Sequence, residues 1–144
     1  MKHLKLLLAT ALFASCNLSM NDDGTARETA VAWADAYFNC DFHEAEEYST
    51  KESGKWLRFA ASNVTEQDLQ LLRERNAVAE ADEYFPVAND TLRVVRLTVR
   101  NYLAPKALGE PSQLAEEGHF NITVVKHDNN WKVKMEGMPR SEKD

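Results

Sequence analysis

Apolar residues recur every three or four positions in the first half of the chain and every second position in its last third. Ala30, Trp33, Ala34, Tyr37 and Phe38 stand at i, i+3, i+4, i+7 and i+8, which is the stripe of a helix with one buried side. Thr25-Ala26-Arg27-Glu28 is a capping-box pattern and predicts that this helix starts at Thr25. Asn39, Cys40 and Asp41 break the period. Asp41 with Glu44 forms a second box, opening a short helix whose apolar contacts are Phe42, Ala45 and Tyr48. Ser49 or Thr50 can cap a third helix that carries Trp56, Leu57, Phe59 and Ala60. Thr65 with Asp68 predicts a fourth, bearing Leu69, Leu71 and Leu72.

After Asn76 the period shortens. Residues 77–85 predict a weak strand ended by Pro86, with turn chemistry at Ala88, Asn89 and Asp90. Residues 91–103 predict a long strand with Val95, Leu97 and Val99 on one face and Arg96, Thr98 and Arg100 on the other. Residues 104–114 hold two prolines and a glycine and read as a loop. Residues 118–127 predict a strand with Phe120, Ile122 and Val124 inward. Asp128-Asn129 predicts a tight turn, since both residue types tolerate positive φ. Trp131, Val133 and Met135 then alternate with Lys132, Lys134 and Glu136. Helices followed by antiparallel strands make an α+β fold with its helices on one face of a sheet.

The start of the chain has a different pattern. Lys2 and Lys5 precede an apolar run over residues 6–14, broken only by Thr10 and too short to span a bilayer. Ala14 and Ser15 then lead to Cys16. Leu12-Phe13-Ala14-Ser15-Cys16 resembles a bacterial lipobox, which implies that Cys16 is acylated and becomes the mature N-terminus, outside the cytoplasm. The expected organisation is a signal peptide over 1–15, a tether over 16–24, one domain over 25–137 and a flexible tail over 138–144. Cleavage before Cys16 leaves 129 of the 144 residues, enough for a single core, and takes the net charge from −6 to −8. So acidic a domain has no field for nucleic acid or anionic headgroups. A thioether-linked lipid leaves Cys16 without a thiol, so Cys40 is the only free thiol and no intramolecular disulfide can form.

The segment after the first helix, Asn39-Cys40-Asp41-Phe42-His43-Glu44-Ala45, resembles the helix junction of small NTF2-like (cystatin-like) lipoproteins of the DUF4878 kind. Residues 124–133, with Asp128-Asn129 at their turn, resemble the final hairpin of these proteins, in which glycine more often stands where Asn129 does. The resemblance implies N-terminal helices packed on a curved four-stranded antiparallel sheet, over nearly the whole mature chain. It implies little about activity, since related folds hold enzymes, ligand carriers and protein-binding domains.

Candidate chemistry is sparse. His43-Glu44-Ala45-Glu46-Glu47 has the first histidine and the glutamate of a zinc-protease helix, but Glu47 stands where the second histidine must be. His119 and His127 are roughly 26 Å apart along one strand and cannot share a metal. Arg96 and Arg100 are expected to pair across strands with Glu80 and Asp82. Cys40 beside Asp41 is expected to be a poorly reactive thiol, because a neighbouring carboxylate raises its pKa. Asp90-Thr91-Leu92 resembles a short O-glycosylation sequon of some extracytoplasmic proteins. Asp35 and Tyr37 on the first helix, and Tyr102 and His119 on strands, are of the residue types that NTF2-like enzymes of the ketosteroid-isomerase kind use in the cone between helices and sheet. No motif here aligns residue by residue with such a site, and none is carried over. Trp33, Tyr37, Tyr48, Trp56, Tyr102 and Trp131 can line a pocket or be the core itself.

No catalytic, metal or cofactor site is expected. The expected function is a lipid-anchored, extracytoplasmic binding or scaffolding module of the bacterial cell envelope. Its partners would be the membrane, through the lipid, and an envelope protein or a small apolar ligand. The alternative is a small isomerase or hydrolase using the cone between helices and sheet.

Overall fold

The computed structural model describes residues 18–86 and 90–142. Four helices, α1 (Leu18–Phe38), α2 (Phe42–Glu47), α3 (Gly54–Ser62) and α4 (Glu66–Glu74), precede four strands, β1 (Val78–Pro86), β2 (Leu92–Leu103), β3 (Leu114–His127) and β4 (Asn130–Val133). The strands form one antiparallel sheet in the order β1-β2-β3-β4. The architecture is therefore α+β, with helices on a four-stranded antiparallel meander. Helix α1 packs against all four strands. Ala26, Ala30, Trp33, Ala34 and Phe38 from α1 meet Val95, Leu97, Val99, Phe120, Ile122, Val124 and Val133 in a single core. No described helix is long and apolar enough to cross a membrane.

Two expectations about the helical half are revised. Helix α1 begins at Leu18, seven residues before Thr25, so the Thr25 box lies inside the helix. Residues 18–24, expected as tether, are helical; Cys16 and the leader lie outside the described residues. The Thr65–Asp68 box is present in full, with both reciprocal bonds made. Asp41 caps α2 by accepting from the Glu44 N–H. The third helix is preceded by a 3₁₀ turn, Lys51–Ser53, and no side chain caps its backbone.

Cys40 ends α1 in the left-handed region, at φ 62°. Its N–H donates to the Tyr37 carbonyl (3.0 Å), and the Asp41 N–H donates to that of Ala36 (2.9 Å). These two bonds form a Schellman motif, with a cysteine where glycine is usual. Asp35 and Asn39 then fasten α1 to β1. Asp35 accepts from the Ala79 N–H (2.9 Å), while Asn39 accepts from the Ala77 N–H and donates to its carbonyl (both 2.8 Å).

The sheet carries two local irregularities that set side-chain direction. Asp82 is an extra residue between the pairs Ala81–Leu97 and Glu83–Arg96, a bulge that bends an edge strand. Asn101 adopts φ 58°, so the alternation slips and Tyr102 is buried on the core side with Phe38 and Phe120. The hairpin turn is as expected, with Asp128 at φ 49° and Asn129 at φ 65°. Arg100 pairs with Glu80 (3.1 Å) and Arg96 with Asp82 (3.7 Å), as the cross-strand reading anticipates.

The expected tail is instead packed as far as it is described. Past β4 the Lys134 N–H still donates to the Thr123 carbonyl (2.9 Å), and the Met135 N–H donates to Ser53 Oγ (2.8 Å). The chain returns to β3 at Glu142, whose N–H donates to the His119 carbonyl (3.0 Å). Ser141 is buried.

Candidate functional site

The end of α1, the start of α2, the α3–α4 connection, the end of β2 and the C-terminal segment converge on a cavity of about 280 Å³. Its walls are mainly aromatic and aliphatic: Tyr37, Phe38, Phe42, Val64, Tyr102 and Phe120 are among them. The aromatic wall follows from local structure. Tyr37 stacks on Trp33 (4.8 Å between centroids) and meets Phe38 and Phe42 edge-on; Phe38 packs on Phe120 and Tyr102.

Among the titratable side chains that line the cavity, Cys40, Tyr37 and Asp68 are shifted from their ordinary values. The Cys40 thiol is pushed up to about 11, first by burial and then by the charge on Asp68. It is protonated at neutral pH and a weak nucleophile. The sequence attributes this effect to Asp41, whereas the structure assigns it to burial and to Asp68, which α4 brings close. Burial, and secondarily the charge of Cys40, also raises the Tyr37 phenol, so Tyr37 stays a hydrogen-bond donor.

Asp68 is buried on the cavity wall. Burial alone would raise its carboxyl, but bonds from Ser112, Thr65 and Lys106 outweigh that and hold it below the usual aspartate range. It accepts from the Thr65 N–H (2.8 Å), the Ser112 hydroxyl and the Lys106 ammonium (3.4 Å), and Lys106 also donates to Ser112 (2.8 Å). Asp68 is therefore a fixed anion with its partners in place, joining α4 to the β2–β3 loop. A lowered carboxyl adds stability at neutral pH that is lost as the pH falls through the aspartate range and below. Asp68→Asn is expected to lose about 1–3 kcal/mol at pH 7, a deficit that shrinks below about pH 4. Urea unfolding at both pH values checks this; a pH-independent deficit would contradict it.

Of the six aromatic residues expected as lining, the structure brings Tyr37 and Tyr102 to this cavity and places the other four elsewhere. Trp33 is fully buried beneath Tyr37 and donates to Ser49 Oγ (2.9 Å). Trp131 is buried at the hairpin, with Arg93 and Lys126 over its ring. Tyr48 lies where its carbonyl receives the Val133 N–H (2.7 Å), and Trp56 carries Lys55 over its ring. Asp35 is a helix–strand clamp. His119 is on the other face of the sheet, with Thr98 Oγ1 at 3.1 Å and Asp82 at 3.6 Å. Thr98 donates to Asp82 (2.6 Å).

His43, Glu44 and Glu47 are exposed on α2, and no group of three or more metal-ligating side chains occurs among the described residues. Thr91 is exposed just before β2, its carbonyl accepting from the Lys126 N–H (2.8 Å). The sequence reading missed Cys40, Asp68 and Lys106 as neighbours. Lone residues 28 and 38 positions apart carry no local signal, and only the Asp68 capping box hinted at a fixed carboxylate.

No protein-family model matches the sequence, and no curated protein matches it. Among solved structures, the chain is similar to an uncharacterised cystatin-fold protein from Novosphingobium aromaticivorans. The two share 18% identity at a TM-score of 0.46, over 76% of this chain and 96% of the other. It is also similar to an Ntf2-like protein involved in plasmid conjugation, at 16% identity and a TM-score of 0.40, over 83% of this chain and 48% of the other. Both are of the cystatin-fold or Ntf2-like kind that the sequence resembles, and neither likeness carries an argument about what this chain does.

Proposed function

We propose that this chain is a non-catalytic binding module of the bacterial cell envelope, tethered by a lipid on Cys16, whose pocket takes a small neutral apolar ligand. The pocket's composition supports this reading. Its walls are aromatic and aliphatic, its one carboxylate already has its partners, and its thiol is protonated. General acid–base catalysis needs a group that titrates near the working pH, and neither Asp68 nor Cys40 is tuned toward it. A charged ligand would gain little, because Lys106 is engaged by Asp68 and Ser112. The phenol of Tyr37 is available to donate to a single acceptor on the ligand.

The volume fits one or two rings. Indole is expected to bind with a dissociation constant of about 0.1–1 mM, roughly −4 to −5.5 kcal/mol. Amide chemical shifts should move around Tyr37, Val64 and Tyr102, and Val64→Phe, which fills the pocket, should abolish them. Absence of shifts in the wild-type protein would overturn the pocket reading. A turnover that Asp68→Asn removes from a folded protein would replace it with the enzyme reading. The anchor is tested separately: Cys16→Ala should leave an unprocessed, unlipidated precursor. Maturation of that variant to the wild-type mass, with partition into detergent, would overturn the lipid reading.

A further inference from the structure

We infer that residues 138–142 form a latched wall of the pocket, held shut by the ion pair between Arg96 and Glu142. Met138, Pro139 and Ser141 line the cavity, so this segment closes one side of it. The segment is fastened on both sides. Upstream, the Met135 N–H is fixed to the buried hydroxyl of Ser53. Downstream, the Arg96 guanidinium grips the Glu142 carboxylate with two bonds, Nε to Oε1 (2.9 Å) and Nη2 to Oε2 (3.0 Å), and the Glu142 N–H meets the His119 carbonyl.

Between the pins, residues 136–140 make no backbone hydrogen bond among the described residues. A Cβ at Gly137 would meet nothing within 4 Å, so no side chain packs against that side of the span. The downstream pin is a bidentate pair on the far face of the sheet from the pocket. It therefore controls the wall without touching what the pocket holds. A partly exposed pair of this kind yields to salt and to a competing charge, unlike the buried core beneath it. The use of the latch in ligand exchange rests on the binding reading above; the wall and its pin do not.

Cys40 lines the same cavity and reports access to it. The full chain is treated with N-ethylmaleimide, and modification is followed on the Cys40 peptide by mass spectrometry, so that Cys16 does not contribute. Glu142→Gln is expected to label about two- to fivefold faster than wild type, and Glu142→Arg faster still. Repeating the labelling with a bulkier maleimide separates access, whose effect grows with reagent size, from a change in thiolate fraction, which acts on both reagents alike. Salt should accelerate wild type and leave Glu142→Gln unmoved. Glu80→Gln breaks the Arg100 pair, which joins the same strand β2 to β1, and should leave the rate unchanged. Labelling of Glu142→Arg at the wild-type rate overturns the latch, as does equal acceleration by Glu80→Gln, which would mean general loosening. Acceleration as expected with no indole binding keeps the latch and removes the binding reading. Indole binding with labelling indifferent to Glu142 does the reverse.

Discussion

Trp33→Ala is expected to cost about 3–5 kcal/mol of unfolding free energy, the range for deleting a large buried aromatic side chain. Trp33 is 0% exposed and stacks on Tyr37 with the planes 13° apart. Its indole N–H donates to Ser49, whose hydroxyl donates onward to the Ala45 carbonyl (2.7 Å). Ser49 in turn bridges to Val133 of β4. One side chain thus ties α1, the end of α2 and the last strand together. Trp33→Phe keeps most of the buried ring and loses only the bond to Ser49, so it should cost about 1–2 kcal/mol.

Trp131 supplies the control. It is also buried, but its indole nitrogen has no hydrogen-bond partner among the described residues. Trp131→Phe removes a desolvated, unsatisfied donor and should therefore cost less than Trp33→Phe. Urea denaturation of the three variants decides the matter. If Trp33→Ala keeps wild-type stability and loses only indole binding, Trp33 is a pocket wall and its place in the core is wrong.

The elements were legible because their signals are local. The stripe from Ala30 to Phe38, the Thr65–Asp68 box and Asp128-Asn129 each determine their own backbone within a few residues. What the sequence hid depends on residues far apart. Strict alternation from Val99 would turn Tyr102 outward, and only the left-handed backbone at Asn101 brings it in. The polar, proline-containing end of the chain reads as frayed. It is held because Arg96, 46 residues earlier, lies across from Glu142, and because Ser53, 82 residues before Met135, offers it an acceptor. Four of the six candidate lining aromatics went into structural roles for the same reason. Helical and strand periodicity identify which residues are buried, but not whether the space beside them is filled.

Gly118 is where the slip at Asn101 has its largest expected consequence. Tyr102, turned inward, lies across the Gly118 backbone on the neighbouring strand. A Cβ at Gly118 would stand 2.5 Å from the Tyr102 hydroxyl oxygen, 2.8 Å from Cζ and 2.9 Å from Cε1. The ring cannot simply step aside, since Phe38 and Phe120 hold it edge-on. In an unobstructed strand, glycine to alanine would gain about 0.5–1 kcal/mol by restricting the unfolded chain. Overpacking opposes this with a larger cost, so Gly118→Ala is expected to lose about 1–3 kcal/mol net. The sign should depend on Tyr102. Tyr102→Phe removes the nearest atom but leaves the ring carbons, and should relieve the clash only in part. In Tyr102→Ala, already destabilised by its own cavity, adding Gly118→Ala should be neutral or slightly stabilising. A double-mutant cycle by denaturant unfolding measures this coupling. Additive losses would mean that Tyr102 does not sit over Gly118, and the inward turn at Asn101, with the pocket wall built on it, would fall.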